Sequence, residues 1–325
     1  MLAGVDLDRT ERCDTVQRSA WPSVGICIPT FRRPEGLQKL LTHLAKLSYG
    51  GAVSLLVVEN DAQVCAGLAV ADGMRPTFPL PLRTVVEKRR GQTFAYNRGF
   101  AELCATEPRP EYVAVLDDDE YPASDWLTRL VSAALSCAAD IAGGPVLPVF
   151  EAPDYWLAKS GLYMPARFPT GPIQCIYGAG NMLIRSEVLC RYLDSPFAEA
   201  FAFTGGSDLE FFKRCRRDGR SFAWADDALV FEVTPRSRTT VRWLLLRHFR
   251  KGSERTRIER AHGAAAWALR WGKGLGLIAY GMVVLPTAIW RGPNVMMASL
   301  NSVAAGIGRI AAEFGVLYEE YRYQA

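Results

Sequence analysis

The sequence predicts an α/β fold in which helices flank a mainly parallel sheet. Short apolar runs rich in β-branched residues occur at residues 24–28, 55–58, 83–86 and 112–116, and each is typical of a buried strand. Apolar residues at helical spacing separate the first two strands, over residues 34–47. Because strands that alternate with helices are typical of parallel sheets, we expect one sheet covered by helices on both faces.

Further helices and a turn–strand unit continue this alternation beyond residue 90. Helical spacing predicts one helix over residues 92–104 and another over residues 124–138, with Ser124 as the N-cap of the second. Six prolines between residues 145 and 172 predict loops and short strands. Residues 178–185 are typical of a turn that leads into a short strand.

The composition limits the kind of protein that this chain can be. Of its 325 residues, 49% are hydrophobic and 22% are charged, which is typical of a globular protein and not of a disordered one. Eight scattered cysteines without a C-x-x-C pair indicate free thiols in a reducing cytosol, and three histidines outside zinc-ligand spacing argue against a zinc enzyme. The sequence has no P-loop and no G-x-G-x-x-G turn, which argues against ATPase and NAD chemistry.

Four consecutive acidic residues, Asp117, Asp118, Asp119 and Glu120, follow the apolar run at residues 112–116. Because that run is a predicted strand, the carboxylates would lie at the carboxyl edge of the sheet, where ligands bind in open α/β folds. Like charges this close repel one another unless a cation lies among them, and Mg²⁺ or Mn²⁺ bridging phosphate oxygens would meet that need. The simpler alternative is an acidic turn exposed to solvent.

Six short motifs, taken together, resemble glycosyltransferase family 2, the inverting nucleotide-sugar transferases with a GT-A (Rossmann-like) fold. The resemblance covers residues 23–235 and is nearest to bacterial exopolysaccharide transferases of the succinoglycan type. The motifs stand in the family's order at residues 28–32, 58–60, 91–99, 116–122, 178–181 and 205–211.

The resemblance implies that the ends of the first two strands bind the nucleotide. Pro29, Thr30 and Arg32 match the turn that cradles it, and Arg32 can offer a forked donor to a phosphate group. Glu59 matches the acidic position that contacts the base or the ribose, although the family more often has Asp there.

The acidic motifs match the catalytic part of the family. Asp117 would contact the ribose or the metal, Asp118 the donor, and Asp119 the metal that bridges the diphosphate. Asp208 would be the general base for the acceptor hydroxyl, at the start of a helix that Ser207 is expected to cap. An ordinary first-turn helix acid is the simpler interpretation of Asp208.

The resemblance implies transfer of a sugar from a nucleoside-diphosphate sugar, expected to be a UDP-sugar, to a hydroxyl of a glycan or lipid-linked acceptor. The transfer would invert the anomeric centre, use Mn²⁺ or Mg²⁺, and serve polysaccharide biosynthesis. Two alternatives remain open. A nucleotidyltransferase would normally carry a glycine-rich basic loop where Pro29, Thr30 and Phe31 stand. A non-catalytic nucleotide-sugar-binding module at the membrane would keep the fold without the chemistry.

Charge and hydropathy divide the chain into three predicted parts. Residues 1–22 form a polar lead-in, residues 23–235 the GT-A domain, and residues 236–325 a basic and apolar helical region. Residues 236–273 carry a net charge of +9 with interleaved aromatic residues, so the remainder carries −5. A basic amphipathic stretch of this kind favours an anionic membrane surface as partner over a nucleic acid.

Two uncharged stretches of seventeen residues each follow, at residues 274–290 and 292–308. This length is at the short end for a helix that spans a membrane. Three interpretations remain open: a hairpin through the membrane, helices in the membrane interface, and helices packed against the catalytic domain. Since the first twenty residues are polar and show no cleavable signal peptide, we expect the protein at the cytoplasmic face of the cell membrane.

Overall fold

The computed structural model describes residues 21–263 and 266–319, so Cys13 and most of the predicted lead-in lie outside the described residues. The strands, numbered in chain order, are β1 Val24–Thr30, β2 Val53–Glu59, β3 Leu82–Val86, β4 Tyr112–Val115, β5 Glu120–Pro122, β6 Ile141–Gly143, β7 Val146–Phe150, β8 Gly171–Ile173, β9 Met182–Arg185, β10 Phe222–Trp224 and β11 Val230–Thr234. The helices are α1 Pro34–Leu44, α2 Ala66–Met74, α3 Gln92–Cys104, α4 Trp126–Ser136, α5 Trp156–Lys159, α6 Ser186–Cys190, α7 Ser207–Arg217, α8 Val241–Ala261, α9 Trp267–Val284, α10 Ala288–Arg291 and α11 Pro293–Glu313.

A large mixed sheet with the strand order β3-β2-β1-β4-β9-β6-β10-β8 forms the centre of the fold. Strands β3, β2, β1 and β4 run parallel to one another, and β6 runs parallel to β10. Strand β9 is antiparallel to both β4 and β6, and β8 is antiparallel to β10. The predicted α/β architecture with a mainly parallel sheet is confirmed. The carboxyl ends of β1, β2 and β4 meet at one edge.

Side chains alternate across this sheet and build an apolar core on each face. In β1, Ile26 and Ile28 pack on the face covered by α1 and α4, while Cys27 packs on the opposite face under α3. A Cβ on Gly99 of α3 would lie 2.3 Å from the Sγ of Cys27, so the glycine allows α3 to lie close to the sheet.

Two features of the fold were not predicted. A second, three-stranded sheet has the order β5-β11-β7 and places Glu232 of β11 opposite Glu120 of β5. Helix α2 follows β2, and the buried Glu59 carboxylate accepts hydrogen bonds from the amides of Gly67 (2.7 Å) and Leu68 (3.2 Å) at its start. The first amides of α2 are therefore satisfied by Glu59, a residue outside the helix. The alanines and glycines of α2 form no amphipathic pattern, so the sequence did not predict this helix.

Both predicted N-caps are wrong. Helix α4 begins at Trp126 with Asp125 at its N-cap, and the Ser124 carbonyl oxygen instead accepts from the amide of Ser48 at 2.7 Å. Helix α7 begins at Ser207 itself, and its N-cap is Gly206 with φ of 92°. A left-handed backbone at that position suits glycine, which leaves the Ser207 hydroxyl to accept from Thr93 of α3 at 3.2 Å.

Glycines bring α11 into close contact with α8 on one side and α9 on the other. A Cβ on Gly308 would lie 1.9 Å from the backbone oxygen of Phe249 in α8, and one on Gly306 would lie 2.6 Å from the backbone oxygen of Gly274 in α9. Helix α8 in turn contacts the sheet domain, because Arg257 donates to the Ala200 oxygen at 2.6 Å. The two uncharged stretches lie in this helical unit, and the predicted boundary at residue 235 stays a prediction.

Helices α9 and α10 expose an apolar surface. Val283 is 76% exposed, and Ile289 and Trp290 are each 80% exposed. The segments Trp267–Arg291 and Pro293–Glu313 have the length and hydropathy of a membrane-spanning helix, a test that core helices of soluble proteins also pass. Helices α8, α9 and α11 therefore pack together, while apolar side chains of α9 and α10 remain exposed on the surface of this unit.

We expect Gly308→Ala to lower the free energy of unfolding by about 1–3 kcal/mol, because its Cβ would overlap the backbone of α8. Gly276→Ala is the matched control, since a Cβ on Gly276 of α9 meets nothing within 4 Å. The control should gain about 0.5–1 kcal/mol from helix propensity. Chemical denaturation of both variants measures this, and equal stabilities would contradict the close helix contact.

Candidate functional site

A cleft of about 450 Å³ opens at the carboxyl ends of β1, β2 and β4. It lies where an α/β fold is expected to bind a ligand. Its lining residues are Pro29, Thr30, Phe31, Arg32, Arg33, Asn60, Arg90, Gly91, Gln92, Ala95, Asp117, Asp118, Asp119, Glu232, Pro235, Ser237 and Arg238. Of the residues predicted for the site, Pro29, Thr30, Arg32, Asp117, Asp118 and Asp119 line this cleft, whereas Glu59 and Asp208 do not.

Asp118 fastens the end of β4 to the turn after β1. One carboxylate oxygen accepts from the Thr30 hydroxyl at 3.0 Å and the Phe31 amide at 3.1 Å, and the other accepts from the Arg33 guanidinium at 3.0 Å. Burial raises the pKa of Asp118 to about 6, against the lowering effect of Arg33. Both carboxylate oxygens therefore accept hydrogen bonds from other parts of the protein, and Asp118 fixes the shape of this part of the cleft.

Asp119 lies between two arginines. Its Oδ2 accepts from the Arg33 Nη1 at 2.7 Å and from the Arg238 Nη1 at 3.3 Å. The same Nη1 of Arg238 contacts the Oε1 of Glu232 at 3.1 Å. Burial raises the pKa of Glu232, and the negative charge of Asp119 raises it further. The carboxylates of Asp119 and Glu232 thus both contact Nη1 of Arg238, and the positive charge of this guanidinium holds them together.

Asp117 is partly buried and accepts hydrogen bonds from two side chains of α3. Its Oδ1 accepts from the Tyr96 hydroxyl and from the Gln92 amide at 3.2 Å. Burial, followed by the charge of Asp119, raises the pKa of Asp117 to about 7. Below it, Glu120 accepts from the Asp117 amide at 2.9 Å, and burial raises the pKa of Glu120 well above its usual value.

Arg32 has a left-handed backbone, with φ of 54°, at the turn after β1. Its Nε donates to the Oδ2 of Asp61 at 2.6 Å, and this bond lowers the pKa of Asp61. The Phe31 ring lies near two guanidinium groups, 5.1 Å from that of Arg32 and 4.9 Å from that of Arg90. This wall of the cleft therefore combines an aromatic ring with positive charge.

Glu59 is 1% exposed and accepts hydrogen bonds from backbone amides, including that of Asp61 at 2.8 Å. It holds the turn between β2 and α2, while its neighbour Asn60 lines the cleft. The Asn60 side chain accepts from the Gly91 amide at 2.8 Å and donates to the Arg89 oxygen at 2.8 Å. Glu59 thus affects the cleft only indirectly, by fixing the turn that carries Asn60.

Asp208 lies in the first turn of α7, beside the cleft. The Thr93–Ser207 hydrogen bond joins this turn to α3, the helix that also carries Tyr96. Burial raises the pKa of Asp208, while nearby amides and the charge of Arg250 oppose that rise. Burial raises the pKa of Tyr96 well above its usual value, and the charges of Asp117 and Asp208 raise it further, so both carboxylates act on its hydroxyl.

Several functional side chains were missed from the sequence. Asn60 and Gln92 lie inside motifs that the resemblance identified, so their polarity was a usable signal. Arg33 and Arg238 are ordinary members of basic stretches, and only the fold brings them to the same carboxylate. Glu232 reaches the cleft through the second sheet, which was not predicted.

The donor set of the cleft fits a hard divalent cation. Asp119 and Glu232 offer carboxylate oxygens that already converge on a positively charged nitrogen. Within residues 21–263 and 266–319, no cluster of three or more acidic, histidine or cysteine side chains is arranged to hold a metal. Further ligands would have to come from a bound diphosphate or from water.

Comparisons with known proteins agree on the fold. Residues 22–251 match the family described as glycosyltransferase like family 2. The chain is 30% identical over 290 residues to the succinoglycan biosynthesis protein ExoM of Rhizobium meliloti (strain 1021), covering 86% of this chain and 90% of that protein.

Two solved structures are similar to nearly the whole chain. The first is the mannosyltransferase PcManGT from Pyrobaculum calidifontis, in complex with GDP-Man and Mn²⁺, with a TM-score of 0.63, 16% identity and coverage of 92% of this chain and 89% of that one. The second is residues 1–349 of TarS from S. aureus in complex with UDP-GlcNAc, with a TM-score of 0.53, 13% identity and coverage of 91% and 93%. These likenesses confirm the predicted GT-A fold.

We expect Asp118→Ala to lower the free energy of unfolding by about 2 kcal/mol, because it leaves the Thr30 hydroxyl and the Phe31 amide without their partner. Asp119→Ala is the matched neighbour and should cost less than about 1 kcal/mol, since Arg33 and Arg238 each keep another carboxylate. Urea denaturation distinguishes the two. A larger loss for Asp119→Ala would contradict the structural role of Asp118.

Proposed function

Because this chain belongs to the glycosyltransferase-like family 2 and is a glycosyltransferase, we propose that it transfers a sugar from a nucleoside-diphosphate sugar to a hydroxyl group with inversion. The observation that carries this proposal is the cleft, where three aspartates after β4 face arginines from the turn after β1 and from the segment after β11. Fixed cations of this kind bind a diphosphate and stabilise the charge that grows on it as it leaves.

The nucleotide would bind along the ends of β1 and β2. Arg32 and Arg90 supply positive charge beside Phe31, and Asn60 supplies polar groups nearby. Glu59 acts indirectly, by holding the turn that carries Asn60. Solved structures of similar fold contain GDP-Man or UDP-GlcNAc, and we propose a UDP-sugar for this chain.

Asp119 and Glu232 would hold the divalent cation, Mn²⁺ or Mg²⁺, with Asp117 close by. When bound, such a cation neutralises negative charge on the leaving diphosphate. The structure of similar fold with GDP-Man also contains Mn²⁺. Arg33 and Arg238 already pair with Asp119, so they would add positive charge beside a diphosphate bound there.

Asp208 would act as the general base. The oxygen of the acceptor hydroxyl attacks the anomeric carbon on the face opposite the diphosphate, and its proton passes to the Asp208 carboxylate. The bond between the anomeric carbon and the phosphate oxygen breaks, and the nucleoside diphosphate leaves with the electron pair. A raised pKa suits this role, because it makes the carboxylate a stronger base than an ordinary aspartate.

We expect nucleoside diphosphate release from one sugar nucleotide in a panel, with Mn²⁺ or Mg²⁺ and a membrane lipid extract as acceptor. Asp208→Asn should reduce turnover by roughly 10²–10⁴-fold, since it removes the base and keeps the shape. Asp119→Ala should also reduce release and weaken its dependence on the metal. Coupled detection of the released diphosphate measures each rate.

The side chain of the exposed Asp194 forms no hydrogen bond or ion pair among the described residues, so Asp194→Asn is the control variant and should keep full activity. Donor binding without any turnover would instead favour a non-catalytic sugar-nucleotide-binding module. Full activity of Asp208→Asn would remove Asp208 from the mechanism. Release of inorganic pyrophosphate from a nucleoside triphosphate, with no sugar transfer, would favour nucleotidyl transfer.

We propose that the protein works at the cytoplasmic face of the cell membrane in polysaccharide biosynthesis, on a glycan or lipid-linked acceptor. The similarity to a succinoglycan biosynthesis protein supports the pathway class. The exposed apolar surface of α9 and α10 and the basic residues of α8, which pack on the same helix α11, support contact with an anionic bilayer.

We expect the chain to float with anionic vesicles in a density gradient. The double variant Ile289→Gln with Trp290→Gln should reduce the bound fraction, with a partition coefficient lower by roughly tenfold or more, because two large apolar groups no longer enter the interface. Val64→Gln with Met164→Gln is the matched control, at exposed apolar side chains of the sheet domain. Equal flotation of both double variants would contradict the assigned surface.

A further inference from the structure

Helix α8 carries a row of three cations that pair with no acid. Arg247, Lys251 and Arg255 are four residues apart, so they share one face of the helix. Among the described residues, none of the three forms an ion pair or a hydrogen bond with an acidic side chain. By contrast Glu254, on the neighbouring face, pairs with Arg250 at 3.2 Å. We call these three residues the α8 basic row.

The face of α8 that neighbours the α8 basic row contacts the first turn of α7, which carries Asp208. A Cβ on Gly206, the N-cap of α7, would lie 3.2 Å from the Cγ of Glu254, so the two helices are in contact there. The charges of Lys251 and Arg247 both act on the Glu254 carboxylate and lower its pKa. The row therefore adjoins the α8 residues, Arg250 and Glu254, that lie near the expected catalytic base.

The amino-terminal end of the row lies near the donor cleft. The Arg247 guanidinium lies 5.0 Å over the Trp243 ring, which stacks on Tyr163 with the ring centres 6.0 Å apart. The Tyr163 hydroxyl donates to the backbone oxygen of Arg238, a residue that lines the cleft. The row thus leads from the cleft along α8, on the side of Asp208.

The three cations raise one another's electrostatic energy. The pKa of Lys251 is lowered to about 8, first by desolvation and then by the charge of Arg247. Lys251 and Arg255 are nevertheless exposed, so solvent and solutes reach them. The Glu254 carboxylate compensates this charge only in part, since the pKa of Lys251 stays lowered beside it, and an anion from outside the chain would relieve the remaining repulsion.

We propose that the α8 basic row binds a phosphate or diphosphate group of the sugar acceptor. This inference rests on the proposed function, since it assigns the acceptor side of the same site. Arginine forks and a lysine ammonium are the groups that proteins use for phosphate, and three in a row match a diphosphate better than a single carboxylate. The donor diphosphate has its own arginines, Arg33 and Arg238, in the cleft.

The exposed apolar surface of α9 and α10 favours a lipid-linked acceptor over a soluble one. Helix α11 packs against both α8 and α9, so the row and the apolar surface belong to one packed helical unit. A lipid diphosphate carries both kinds of group, an apolar chain and a charged head. The row would hold the head while the attached sugar lies toward Asp208.

The test compares two double variants of the full chain in detergent. Lys251→Gln with Arg255→Gln removes two charges from the row, and Lys46→Gln with Arg191→Gln removes two exposed charges elsewhere that have no ion pair within the described residues. Calorimetry with a chelator present measures binding of farnesyl diphosphate, inorganic pyrophosphate and farnesol. Thermal unfolding of each variant checks that the fold is kept.

We expect the row variant to bind farnesyl diphosphate at least about tenfold more weakly, and the control variant to bind as the unchanged chain does. Tighter binding of farnesyl diphosphate than of pyrophosphate identifies a lipid-linked source, and equal binding identifies the phosphate group alone. Unchanged affinity in the row variant, or an equal loss in the control, overturns the proposal. A row-dependent preference for single-stranded RNA over both phosphates also overturns it.

The same variants separate this inference from the proposed function. With a sugar nucleotide as substrate, the row variant should keep metal-dependent donor hydrolysis in water, while the KM for a lipid extract acceptor rises by about tenfold. Intact donor hydrolysis with an unchanged acceptor KM rejects only the row. Absence of donor turnover in the unchanged chain rejects the proposed function, whether or not the row binds phosphate.

Discussion

Three consecutive aspartates, one buried and two partly buried, lie at the edge of the sheet because hydrogen-bond donors and cations from distant segments contact them. Asp118 accepts hydrogen bonds from the turn after β1. Asp119 forms ion pairs with two arginines that are more than two hundred residues apart in sequence. Without these partners the desolvation cost of the carboxylates would oppose folding. The same partners form the walls of the cleft, so the stability of this edge and the binding of an anionic ligand depend on one set of contacts.

That electrostatic constraint explains why the carboxyl-terminal part of the chain belongs to the site. Arg238 lies just beyond β11 and closes the cleft over Asp119 and Glu232. Helix α8 follows directly and brings Arg250 near Asp208, together with the α8 basic row. The helices that carry the apolar surface are therefore continuous with the residues that balance the charge of the active site.

Periodicity predicted those elements whose side chains face a core. The helix over residues 92–104 matches α3 at both ends, and the predicted strands fall within a few residues of β1 to β4. Helix α2 and the second sheet were missed, because the first begins on the distant Glu59 and the second consists of short, partly exposed strands. The caps assigned to Ser124 and Ser207 were wrong because their surroundings in the fold, not their residue type, decide how those polar groups are used.

Strands β1 to β4, helices α1 and α3, the acidic edge after β4 and the family could all be predicted from the sequence, since these depend on local pattern and on short motifs. Only the three-dimensional contacts show which groups each acidic side chain binds. Asp118 supports the turn, Asp119 faces the cations, and Glu59 turns away from the cleft to bind amides. The tertiary structure also decided that Arg33, Glu232 and Arg238 share one site, because charge compensation acts through space and leaves no trace in local sequence spacing.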